Sequence, residues 1–271
     1  MQRVYVFLFM GQSNMAGRGV AGLAPEVPEG WGYEYRAVTR PDALVPAREP
    51  FGAEENNPHG VFEPGMKTGS LVSAFINSAY PLLGVPIVGV SCSKGGSSIN
   101  EWEPGGAYHA DALARLRKCR DFLCAHDYEI MRACMVWCQG CTDGDNAMPP
   151  GEYREKTGNF IQSVLSAGVD FCFLIQIGNH RDNPLLYRAI QEEQEYLCAN
   201  NANIVMVSRL FKTFAGRGLM KDEFHYLQPA YNEVGCEAGK NAARFLLRVP
   251  RGHREFATGP ADGTGRQGRG F

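Results

Sequence analysis

The sequence predicts an α/β fold, a parallel sheet with helices on both faces. Three observations predict it. Apolar runs of strand length alternate along the chain with longer segments whose apolar residues recur at helical spacing. The first run is continuously apolar rather than alternating, as in strands buried on both faces. The runs open at their carboxyl ends onto loops of small and polar residues, where an open α/β sheet presents its chemistry. At 271 residues the chain is long enough for one sizeable core. One domain is expected over residues 1–248.

Residues 3–10 form the first strand, and the turn at 12–17 opens a helix. Residues 18–66 are rich in Gly, Pro and Asn with little periodicity, so long loops with short helical turns are expected there. In residues 68–80, Leu71, Phe75, Ile76 and Tyr80 recur at helical spacing, and Pro81 is expected to stop that helix. Residues 86–91 form a second strand that runs into Lys94-Gly95-Gly96-Ser97-Ser98. Residues 107–126 are helical. Residues 130–137 form a third strand that opens onto Cys138-Gln139-Gly140-Cys141-Thr142-Asp143. A helix follows at 153–167, with Phe160, Ile161, Val164 and Leu165 on one face. The fourth strand is 171–178, the next helix 185–199 and the fifth strand 204–209. A loop at 210–227 holds Asp222 and His225, and 231–247 is the closing helix. From Arg251 onward six of 21 residues are glycine and few are apolar. A flexible Gly/Arg-rich tail is therefore expected over 249–271.

Charges nearly cancel, at a formal −2, which argues against a nucleic-acid or anionic-membrane partner. Nine cysteines are many, but the odd count and irregular spacing do not read as a disulfide framework. Cys134 and Cys172 lie in apolar runs, where a thiol behaves as a small hydrophobe. The apolar first ten residues are too short for a secretory segment, and no run reaches membrane-spanning length. A soluble, cytoplasmic protein is expected.

The polar cluster Gln12-Ser13-Asn14 follows the first strand at once. A hydroxyl becomes a nucleophile only when a base takes its proton. Ser13, exposed on a strand-to-helix turn, suits that role, although Ser13 or Asn14 equally suits a helix cap. The base is assigned to His225, since histidine titrates near neutral pH. Asp222, three residues earlier, can fold back onto its Nδ1–H and fix the tautomer. Developing negative charge on an acyl oxygen calls for fixed donors. The candidates are the Ser13 N–H, the Gly96 N–H in a turn open to close approach, and the Gln139 side-chain amide. Asn14, Arg18, Trp102 and His180 are the candidate substrate contacts. Arg18 could fork onto a carboxylate or make a structural ion pair. Trp102, like Trp137, could stack on a sugar or belong to the core. His180 follows the fourth strand. Cys138 and Cys141 form a C-x-x-C pair, but no second pair at metal spacing follows.

GQSNMAG at 11–17 resembles the nucleophile block of the sialate O-acetylesterase and acetylxylan-esterase-related family of the SGNH hydrolase superfamily. Residues 95–102, GGSSINEW, resemble its second block. Residues 137–143, WCQGCTD, resemble the third, usually Trp-x-Gln-Gly-Glu-Ser-Asp. Asp222-x-x-His225 resembles the last, and order and separations match across roughly 1–247. The resemblance implies a flavodoxin-like three-layer α/β/α sandwich, here with a five-stranded parallel sheet. It also implies serine acetylesterase chemistry on acetylated sugars, either sialic acids or xylan-type chains, with no metal or cofactor. Ser13 carries over as nucleophile, His225 as base, Asp222 as its orienter, and Gly96 and Gln139 as oxyanion donors. Cys141 departs from the pattern, standing where the family usually has glutamate. That departure supports a rival expectation, a glycan-binding protein on an esterase scaffold. A deacylase of longer chains is a second rival. The lack of a visible secretory signal favours a short acetylated sugar, a sialate, over polymeric xylan.

Overall fold

The structure, a computed structural model, describes residues 1–250. Residues 251–271, most of the expected tail, lie outside the described residues. Seven strands form one sheet: β1 (Gln2–Gly11), β2 (Gly32–Arg36), β3 (Arg40–Pro46), β4 (Ile87–Ser93), β5 (Tyr128–Cys138), β6 (Phe171–Ile175) and β7 (Ile204–Ser208). Their order across the sheet is β3-β2-β4-β1-β5-β6-β7. The five expected strands are all present and pair in parallel. Among themselves they take the order second, first, third, fourth, fifth, which is the flavodoxin-like arrangement. β1 is central, and the order reverses beside it, so the carboxyl ends of β1, β4 and β5 meet in one crevice.

The sheet is not limited to five parallel strands. β2 adds to β4 in parallel, and β3 closes that edge antiparallel to β2. Both come from the stretch expected to be loop. β3 carries Pro41 and Pro46, which suit an edge strand because proline cannot donate to a further neighbour. Buried polar groups anchor this stretch together with scattered core residues such as Tyr35, Phe51 and Val61. The Arg115 guanidinium donates to Asp111, to the Ser91 carbonyl and to the Glu55 carbonyl. The Glu55 carboxylate accepts the Val38 and Thr39 N–H groups. Glu34, 0 % exposed, accepts the Gly52 N–H.

Alternation along β1 divides the core. Val4, Val6, Leu8 and Met10 face one side; Tyr5, Phe7 and Phe9 face the other. The first set packs under α3 (Ala107–Ala125), α5 (Pro150–Ser166) and α6 (Arg188–Asn200). The second packs under α2 (Val72–Leu83) and α7 (Gln228–Arg248), with Phe75 edge-on to Phe7 at 5.1 Å. The result is a three-layer α/β/α sandwich. Pro81 does not stop α2; it lies within the last turn, where a missing N–H costs a single helical bond. The helix ends at Gly84, whose left-handed φ of 63° suits glycine. Among the described residues no helix is long and apolar enough to cross a membrane.

α2 and α7 cross closely because α7 presents glycines. A Cβ on Gly235 would lie 2.2 Å from the Leu71 carbonyl oxygen, and one on Gly239 2.3 Å from that of Phe75. Gly235→Ala is expected to cost about 1–3 kcal/mol in urea unfolding through overpacking. An unchanged midpoint would contradict this crossing.

Candidate active site

β1 ends at Gly11, whose φ is 134°. A side chain there would strike the Cys138 carbonyl oxygen at 2.1 Å, so only glycine lets the ends of β1 and β5 approach. Gln12 continues the contact. Its N–H donates to the Cys138 carbonyl at 2.9 Å. Its Oε1 accepts the N–H groups of Gly140 (2.7 Å) and Cys141 (2.9 Å), which open α4 (Cys141–Asp145). Ser13 is then the first residue of the four-residue helix α1 (Ser13–Ala16). Its N–H has no intrahelical acceptor.

The Ser13 hydroxyl is not a cap. Its Oγ lies 2.9 Å from Nε2 of His225, 212 residues away in sequence. Nδ1 of His225 lies 2.8 Å from Oδ2 of Asp222. Oδ1 of Asp222 accepts the N–H groups of His225 (2.7 Å) and Phe224 (3.0 Å). A carboxylate only accepts, so the ring proton belongs on Nδ1 and Nε2 is left to accept from Ser13. The loop bearing these groups is closed by its own backbone. Met220 bridges Tyr226, Lys221 N–H donates to the His225 carbonyl, and Leu227 N–H donates to that of Leu219.

Burial is the largest influence on His225 and lowers its pKa. The Asp222 carboxylate opposes that shift, while the charges of Arg18 and Lys221 reinforce it. For Asp222, burial raises the pKa, but the bonds from His225 and the two backbone N–H groups outweigh it, and the net shift is downward.

Asn14 does not face the cleft as a substrate contact. Its Nδ2 donates to the Phe224 carbonyl at 3.0 Å, and its Oδ1 accepts the Tyr231 hydroxyl at 2.7 Å. It therefore clamps the His225 loop between α1 and α7. Arg18 is engaged as well. Its guanidinium pairs with the Glu63 carboxylate and donates to the Met66 carbonyl at 2.7 Å. The structural ion pair, one of the two expectations for Arg18, is the arrangement present. Trp102 is 0 % exposed and packs edge-on to Trp137 at 5.4 Å, so it belongs to the core. His180 is half-buried at the rim, its ring 6.5 Å from that of Phe224, which lies against His225 at 4.6 Å.

The turn after β4 carries Gly95 and Gly96. Gly96 has a φ of 69°, nothing within 4 Å of a Cβ position, and an N–H with no hydrogen-bond acceptor among the described residues. Gln139 is different. It is 0 % exposed, and its amide group donates to the Ser97 carbonyl (3.1 Å) and to the Asp143 carboxylate. Both its N–H groups are thus engaged within the fold, and it offers none to an oxyanion in this arrangement. Asp143 also accepts the Ser98 hydroxyl (2.7 Å) and the Ile99 N–H (3.0 Å), tying the β4 and β5 loops together. Burial pushes its pKa up, against those three bonds. Cys141 is buried in the apolar core, with its thiol held well above the ordinary range by burial. Cys138 is pushed up to about 12 for the same reason, and both are free thiols. Among the described residues no cluster of metal-ligating side chains is present.

Sequence reasoning missed three contributors. Glu63 sits in the aperiodic stretch, and nothing local distinguishes it. Gln12 lies within the recognised cluster, but its bonds run to residues 128 positions away. Lys221 directly precedes Asp222, and that adjacency was a usable signal.

The family model for carbohydrate esterases, sialic acid-specific acetylesterase, matches residues 3–244. No curated protein sequence matches the chain. Among solved structures, a protein from Arabidopsis thaliana is similar at 22 % identity with a TM-score of 0.63, covering 90 % of this chain and 97 % of that one. A carbohydrate acetylesterase from Xanthomonas citri is similar at 16 % identity with a TM-score of 0.56, covering 89 % of this chain and 57 % of that one. These two likenesses establish the fold.

An NMR titration of the His225 imidazole is expected to give a midpoint below the unperturbed value of about 6.5. A midpoint above it would mean that Asp222 outweighs burial.

Proposed function

The chain belongs to the sialic acid-specific acetylesterase family of carbohydrate esterases, and on that footing we propose that Ser13, His225 and Asp222 are its catalytic residues and an O-acetylated sialic acid its substrate. As a member of that family it is a carbohydrate acetylesterase working through a serine. One observation carries the residue assignment: the unbroken chain of contacts from Ser13 Oγ through His225 to Asp222, at 2.9 and 2.8 Å.

Ser13 Oγ attacks the acetyl carbonyl carbon while His225 Nε2 takes its proton. The charge that develops on the carbonyl oxygen is received by the N–H groups of Ser13 and Gly96. The imidazolium then protonates the departing sugar oxygen, and the acetyl group stays on Ser13. Water attacks this ester, His225 takes the water's proton, and Ser13 Oγ leaves with that proton as acetate is released. A lowered His225 pKa keeps the base neutral near pH 7. Ser13 is only 4 % exposed, which supports a small acyl group over a long chain.

The preference for a sialate rests on charge. Arg18 is neutralised by Glu63. Lys221, exposed beside His225, donates to the Arg18 carbonyl at 2.9 Å and has no acidic partner among the described residues. Lys94, half-buried at the Gly95–Gly96 turn, donates to the Gly95 carbonyl at 2.7 Å and likewise has none. Two unneutralised ammonium groups by the cleft suit a sugar that carries a carboxylate better than a neutral xylo-oligosaccharide.

Ser13→Ala is expected to abolish acetate release while leaving the circular dichroism spectrum unchanged; full turnover by that variant would remove Ser13 from the mechanism. O-acetylated sialic acid is expected to outrun acetylated xylo-oligosaccharide. Lys221→Met is expected to raise KM for the sialate by about tenfold, one charge-assisted bond, with a much smaller effect on p-nitrophenyl acetate. Equal effects on both esters would remove Lys221 from substrate recognition.

A further inference from the structure

Glu63 touches two catalytic loops at once, although it lies in neither. Its Oε2 accepts the Gly95 N–H at 2.9 Å, and its Oε1 receives the Arg18 guanidinium. Its own N–H is held by Asn56 Oδ1 at 2.7 Å. The ion pair rests directly on the Gly95 Cα: a Cβ there would lie 2.1 Å from Arg18 Nη2 and 2.2 Å from Glu63 Oε1. The turn that presents the Gly96 N–H is therefore fixed one residue upstream by a carboxylate. Both partners are buried, with side chains 9 % and 5 % exposed.

We propose that Glu63 is a positioning residue for hydrolysis: it aims the Gly95–Gly96 turn at the developing oxyanion. This rests on the assignment of Ser13, His225 and Gly96 above. It gives the long 18–66 stretch a part in the chemistry that none of its residues performs directly.

Two double variants isolate the acceptor. Arg18→Met/Glu63→Gln removes both charges but keeps an acceptor for the Gly95 N–H, and its kcat on p-nitrophenyl acetate is expected to stay near the wild-type value. Arg18→Met/Glu63→Ala removes the acceptor as well, and its kcat is expected to fall about tenfold or more at unchanged KM, part of the worth of an oxyanion donor. Wild-type kcat in the second variant, or the same loss in both, overturns the proposal. The inference fails alone where the wild type turns this ester over, Ser13→Ala does not, and the two double variants match.

Discussion

The contact between Ser13 and His225 is the one on which the site depends, and neither residue's own segment could make it alone. Ser13 is fixed because β1 is the central strand, bonded on both sides and pressed against β5 at Gly11. His225 rides on an excursion between β7 and α7 that is closed by its own backbone bonds. Asn14 joins the two, bonding the Phe224 carbonyl on one side and the Tyr231 hydroxyl on the other. The residue next to Ser13 thus holds His225 in reach of it. A buried amide bonded at both ends is costly to disturb, since an unpaired buried polar group loses about 1–3 kcal/mol.

Around this contact the fold uses buried carboxylates as ties between loops. Glu63 ties the segment after α1 to the turn after β4. Asp143 ties that turn to the loop after β5. Glu55 ties the β2–β3 turn to Arg115 of α3, and Asp111 of α3 ties in the later segment at Asn57 and Val61. Such groups are tolerated in a core when paired with a cation, as Glu63 and Asp111 are, or held by several hydrogen bonds, as Asp143 is. Asp143 bears on the departure at Cys141. The thiol lies in the apolar core, and the buried carboxylate that connects these loops is two residues further on.

Five of the parallel strands were legible because their signal is local. A strand buried on both faces reads as an apolar run, and five such runs give the five parallel strands of the 2-1-3-4-5 core. β2 and β3 were not legible. One edge of the hairpin is open, β3 contains two prolines, and the few apolar residues that pack into the core, Tyr35 and Ala37 among them, are supplemented by buried polar bonds to Glu34 and Glu55. Ser13, Asp222 and His225 could be picked from residue chemistry and motif spacing, and the fold brings those three together. The outer residues of the site were harder to assign. Arg18, Asn14 and Trp102 carry the right groups for sugar binding, yet each is engaged internally: Arg18 by the Met66 carbonyl, Asn14 by the Phe224 carbonyl, and Trp102 by the rings of Trp137 and Phe160. Gln139 likewise directs its amide at Ser97 and Asp143. Which way a polar side chain turns is decided in part by tertiary partners such as Ser97, 42 positions from Gln139, and a linear motif does not contain them.

Reaction of the native chain with a fluorophosphonate probe, followed by peptide mass mapping, tests most directly whether this contact activates the serine. The account predicts a rapid single adduct on Ser13 that is lost when His225 is replaced by alanine. An adduct on another residue, or labelling of Ser13 at an undiminished rate without His225, would contradict it.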